Sequence, residues 1–124
     1  MPLKLYLLAA CAAVILLSVG EVLANQFEKG EKLYNENCAV CHGADGKGGQ
    51  GYNTPIWGSG AQPSKFGSVQ GLFEYIQLLM PFDDPTRVSD EEKWAILHFM
   101  LVSHGAMKAD QTLDPTTAPS VKIE

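Results

Sequence analysis

Cys38-Ala39-Val40-Cys41-His42 sets two thiols three positions apart, with an imidazole immediately after the second. On a helical segment that spacing puts the thiols on neighbouring turns. Each can then add to one vinyl group of a porphyrin, and the histidine is held under the iron as its proximal ligand. C-x-x-C-H is the attachment motif of a c-type haem, with Cys38 and Cys41 as covalent anchors and His42 as an axial ligand. Three other readings fit less well. A thioredoxin-like C-x-x-C wants a strand before it, whereas residues 26–37 read as helical. A zinc site needs a second ligand pair, and the other histidines, His98 and His104, stand six apart. A disulfide across two intervening residues is strained.

The compartment agrees with that chemistry. Residues 1–24 read as a secretory signal peptide: Lys4, an uncharged run from Leu5 to Gly20, then Val22-Leu23-Ala24 with small Ala24 at the cut. The run falls slightly short of the roughly 20 residues that span a bilayer core, so an uncleaved anchor is the alternative. A lipoprotein box at Cys11 is weaker, because the apolar run continues past it. The expected location is the periplasm, as a soluble protein or one tethered by residues 1–24. The chain has 124 residues, three cysteines and a net charge of −5. Lys4 and Glu21 leave together, so the mature chain stays at −5, and Cys11 leaves with them. Both remaining cysteines belong to the motif. Export would ordinarily join them as a disulfide, and His42 argues for haem instead. A net negative chain is the wrong sign for nucleic-acid binding.

The elements that must position the motif are helices. Phe27, Gly30, Leu33 and Tyr34 recur at helical spacing ahead of it. Residues 43–67 are glycine-rich irregular loop. Ser68 caps a helix from Val69 to about Leu79, which Met80-Pro81 ends because the residue before proline is pushed out of the helical region. Ser89 and Glu92 form a capping box for a helix running to about His104, with Gly105 as its stop. From Trp94 to Val102 only His98 is strongly polar, so most of that helix should be buried, with His98 facing outward. Residues 25–107 then form one domain, and 108–124 read as a flexible C-terminal tail. The expected fold class is all-α: three main helices and long loops wrapped around one covalently attached haem.

From about Phe27 to Ser103 the chain resembles the class I, monohaem c-type cytochromes of bacteria. Gly30 and Tyr34 stand eight and four residues before Cys38, as the family's helix glycine and aromatic do. The resemblance implies that they pack against Ile96 and Phe99. Thr54-Pro55-Ile56-Trp57-Gly58 resembles the loop whose proline carbonyl accepts from the proximal imidazole, which assigns Pro55 to orienting His42 and places Trp57 in the haem pocket. Leu78-Leu79-Met80-Pro81 resembles the sixth-ligand loop, making Met80 the second axial ligand. Met100 would face the haem as packing. Met1 leaves with the signal, and Met107 lies beyond the helix stop.

A His/Met-ligated iron has no open position for substrate, so the resemblance implies single-electron transfer between redox partners and no catalysis by the chain itself. Asp83, Asp84, Asp90, Glu91 and Glu92 near the Met80 loop either cap helices or face a basic patch on a partner protein. A haem c electron-accepting subunit of a larger oxidoreductase is the second reading. A gas sensor or peroxidase, with Met80 off the iron, is the third. A membrane is involved only if residues 1–24 remain as an anchor.

Overall fold

The computed structural model describes residues 26–124; the signal segment and the Cys11 reading lie outside them. Helix α1 covers residues 26–37 and runs almost directly into a single turn, α2 (Ala39–His42). The Cys38 N–H donates to the Tyr34 carbonyl at 2.8 Å, and the His42 N–H to the Cys38 carbonyl at 2.9 Å. The motif is therefore an extension of α1. Among the described residues there is no strand, and no helix is long and apolar enough to cross a membrane.

The capping signals give the later boundaries. In α3 (Val69–Leu79) the Ser68 hydroxyl accepts from the Gly71 N–H at 3.0 Å, and Met80 ends the helix in extended backbone. In α4 (Asp90–His104) Ser89 and Glu92 close both arms of the capping box at 3.2 Å, and Gly105 stops it at φ 85°. Short 3₁₀ turns stand at Pro63–Phe66, Pro85–Arg87 and Ala118–Ser120. The inner face of α3 (Val69, Leu72, Phe73, Ile76) is buried with α4, and the Phe73 and Trp94 rings stack with centroids 3.8 Å apart.

Helix α1 crosses α4 at Gly30. A Cβ there would overlap the Ala95 carbonyl and come within 3.0 Å of the Phe99 Cβ. The partners are thus Ala95 and Phe99, with Ile96 one position removed from the closest contact. Gly30→Ala should cost about 1–3 kcal/mol through overpacking, more than the roughly 1 kcal/mol of helix propensity it gains. Denaturant unfolding checks this, and a stabilised variant contradicts the close crossing.

Two expectations fail for one reason. Residues Lys93–Leu101 of α4 are all buried, and His98, expected to face outward, is 0% exposed. Phe27 stands edge-on to it with ring centroids 6.3 Å apart, and the Lys108 and Gln111 backbone, in the tail expected to be flexible, faces it as well. Leu113 is 1% exposed, Met107 and Ala118 are buried, and Gln26 clamps Leu113 from both sides, donating at 2.7 Å and accepting at 2.8 Å. The Asp114 carboxylate caps the next turn through the Thr116 and Thr117 N–H groups. An element anchored by single side chains and turns has no periodicity to read, and without it α4 has an uncovered side. Residues 108–124 therefore pack onto the 25–107 unit.

Neither His98 ring nitrogen makes a hydrogen bond. Burial holds its pKa below the usual imidazole value, against a smaller opposing pull from the Lys108 and Gln111 backbone. The unfolded chain takes up the proton first, so stability is full above about pH 6.5 and declines as pH falls below it. His98→Leu should flatten that part of the pH profile of denaturant midpoints. An unchanged profile contradicts the assignment.

Candidate haem-binding site

The 43–52 loop folds back on the motif, and its glycines make this possible. The Gly48 N–H donates to the His42 carbonyl at 2.9 Å, and the Tyr52 N–H to the Cys41 carbonyl at 3.1 Å. A Cβ at Gly51 would lie 2.6 Å from the Cys41 Sγ. At the end of α2, Gly43 adopts φ 80°, a left-handed conformation that favours glycine. Its carbonyl accepts from the Tyr34 hydroxyl at 2.6 Å. Tyr34 is fully buried, and burial drives its pKa upward, so the phenol stays a donor. It fastens the motif to α1.

Cys38 and Cys41 are both free thiols. Cys38 is partly buried, which pushes its pKa up to about 12, while Cys41 is exposed. His42 lies edge-on to Tyr52 with ring centroids 5.2 Å apart, and burial lowers its pKa, so it is a neutral imidazole. Its Nδ1 is buried and has no hydrogen-bond partner. The expected Pro55 carbonyl bond to that nitrogen is not made. The Pro55 stretch is held instead by the Ile56 N–H donating to the Gly46 carbonyl at 2.8 Å.

Trp57 packs against Tyr34 and Phe99, at 4.9 and 5.5 Å between centroids, and a Cβ at Gly46 would strike its indole. It belongs to the aromatic cluster where α1 crosses α4. Met100 is a core residue of α4. Met80 is half-buried against the core, and its N–H donates to the Ile76 carbonyl at 3.0 Å. The Met80 loop is tied to the motif's approach: the Arg87 Nε donates to the Asn37 Oδ1 at 3.2 Å, one residue before Cys38.

These residues fit a large apolar ligand with an imidazole-binding metal. Two unpaired thiols precede the neutral His42 within one helical turn. The exposed large apolar side chains (Val40, Tyr52, Tyr75, Leu78, Leu79, Phe82) lie on the motif, its return loop, and α3 with the Met80 turn. These side chains leave apolar surface, on the motif and on the segments after it, that a ligand can cover. Cys38 and Cys41 would hold a haem c covalently, and His42 would ligate its iron. The group supplies one-electron redox chemistry when bound.

The acidic residues near the loop have local roles. Asp83 takes a two-pronged bond from Arg87, at 2.9 and 3.2 Å. Asp84 caps Thr86, Asp90 accepts from Gln77 at 2.9 Å, Glu91 meets Lys29 at 3.5 Å, and Glu92 closes the capping box. The bonds from Arg87 and Thr86 hold the Asp83 and Asp84 carboxyls below the usual range.

Two residues at the site were not legible from the sequence. Arg87 sits in a polar turn with no motif around it. Lys93 stands at a helix position where lysine is ordinarily solvated, yet it is 2% exposed. The His104 Nδ1 accepts from the Gly58 N–H at 2.9 Å, fastening the Trp57 loop to the end of α4.

Among known proteins, the chain is similar to the thiosulfate dehydrogenase of Allochromatium vinosum, 35% identical over 83 residues. That match covers 58% of this chain and 29% of the relative. The thiosulfate dehydrogenase of Thiomonas intermedia is 30% identical over 87 residues, covering 62% of this chain and 26% of the relative. The chain therefore spans just over a quarter of the length of these relatives. No solved structure matches it. Residues 25–100, which carry the C-x-x-C-H turn, the glycine loop, the Met80 turn and most of α4, match the family model described as cytochrome c oxidase, cbb3-type, subunit III, and the chain belongs to that family of c-type cytochrome domains.

Proposed function

We propose that this chain transfers single electrons through one covalent haem c, anchored at Cys38 and Cys41 and ligated by His42 and Met80, in the periplasm after export by residues 1–24. The observation that carries the reading is the C-x-x-C-H turn at the end of α1, with two free thiols just ahead of a neutral, half-buried His42. With both axial positions filled by protein, the reaction is outer-sphere. The chain encloses the group, fixes its ligands and presents a docking face. A redox titration followed optically should give one reversible one-electron step, with no carbon monoxide binding to the reduced protein. Rapid carbon monoxide binding would favour a gas sensor or peroxidase.

The relatives favour a second reading: the chain is the electron-accepting haem domain or subunit of an oxidoreductase acting on a reduced sulfur compound. Native mass and co-purification separate a bound subunit from a free carrier. A free carrier guided by its acidic residues to a basic partner patch would associate more slowly as salt rises. Salt-independent kinetics would remove that docking role.

A further inference from the structure

Lys93 is buried in the first turns of α4 and makes no salt bridge among the described residues. Its Nζ donates to the Gln77 carbonyl at 2.8 Å and to the Pro85 carbonyl at 2.7 Å. Those two carbonyls bracket the Met80 loop, one before Met80 and one after it. Burying an ammonium against neutral acceptors alone is an expensive way to finish a helix, since an apolar side chain of similar volume could fill the same space.

Within the bracketed loop, burial does little of the holding. Leu78 is 71% exposed and Phe82 83% exposed, while Pro81 alone is buried. The Arg87–Asp83 pair closes the loop on itself, and the Arg87–Asn37 bond ties its outer end to α1. Lys93 ties both ends to α4, the most buried element of the fold, and the exposed Gln77–Asp90 bond adds a tie at the first end only. We propose that Lys93 is a positioning residue for the sixth ligand: its ammonium pins both ends of residues 77–85 to α4 and so holds Met80 at the iron. This rests on the reading of Met80 as a ligand.

The test compares Lys93→Met, which keeps the length and volume but removes the donors, with Met80→Ala, in the haem-loaded protein. The readouts are the long-wavelength thioether-to-ferric charge-transfer band, carbon monoxide affinity of the reduced protein, and far-UV circular dichroism. Met80→Ala should abolish the band. Lys93→Met should keep the helical signal, weaken the band, and raise carbon monoxide affinity at least about tenfold, the scale expected for losing charge-assisted hydrogen bonds. A wild-type band and affinity in Lys93→Met, beside a lost band in Met80→Ala, overturns the role of Lys93 and leaves the ligand reading intact. A band that survives Met80→Ala overturns both.

If Lys93→Met does not refold, the same question is put to Lys93→Cys alkylated in denaturant and then refolded. An aminoethyl group restores the ammonium, and a propyl group is its uncharged counterpart. The band should return with aminoethyl and stay weak with propyl. Equal bands in the two forms overturn the proposal.

Discussion

Met80→Ala should convert the protein from a closed electron carrier to one with an accessible iron. With the thioether gone, the charge-transfer band disappears and the reduced protein takes up carbon monoxide. The midpoint potential should fall by on the order of 0.1 V, since thioether ligation favours the reduced state and axial ligands set potentials over roughly 0.8 V. The fold should survive, because Met80 is only half-buried and sits at the helix terminus. Met100→Leu, a swap inside the α4 core, provides the control: it should retain the band, and a potentiometric titration with optical detection reads both variants. A band lost in Met100→Leu and kept in Met80→Ala would reverse the assignment.

The second large effect concerns the fold. Replacing Cys38 and Cys41 together by alanine removes both anchors, and most of the bound haem should be lost. The described chain buries a single small core cluster that joins Tyr34 of α1, the inner faces of α3 and α4, and Leu113 and Ala118, and domains of this size need a staple. Without haem, Val40 (76% exposed), Leu78 and Phe82 stay in water. The double variant should lose much of its helical circular dichroism and its cooperative thermal transition. A sharp, native-like melt of the haem-free variant would show instead that α1, α3, α4 and the docked tail suffice.

What the sequence made legible follows from where local chemistry dominates. Ser68, Ser89 with Glu92, and Gly105 act within one turn of themselves, so the bounds of α3 and α4 could be read residue by residue and agree with the structure. The motif was legible for the same reason, because its five residues are consecutive. What depends on distant partners was not. His98 is buried beside Phe27 and the Lys108 and Gln111 backbone, and that segment is held down by the Gln26–Leu113 clamp between residues 87 apart. The burial of Lys93 depends on acceptors in another segment, the carbonyls of Gln77 and Pro85. Pro55 and Trp57 were placed by resemblance beside the haem. The structure puts Trp57 into the Tyr34–Phe99 cluster and leaves the His42 Nδ1 without the Pro55 carbonyl.

The visible and near-infrared spectrum of the purified protein, oxidised and then reduced, tests the central claim most directly. One covalent haem c with His42 and Met80 on the iron predicts a sharp low-spin spectrum on reduction, at the position of a thioether-linked haem, and the thioether-to-ferric band on oxidation. Absence of haem absorption would contradict the C-x-x-C-H assignment. A high-spin spectrum in both states would contradict the closed, electron-carrying iron.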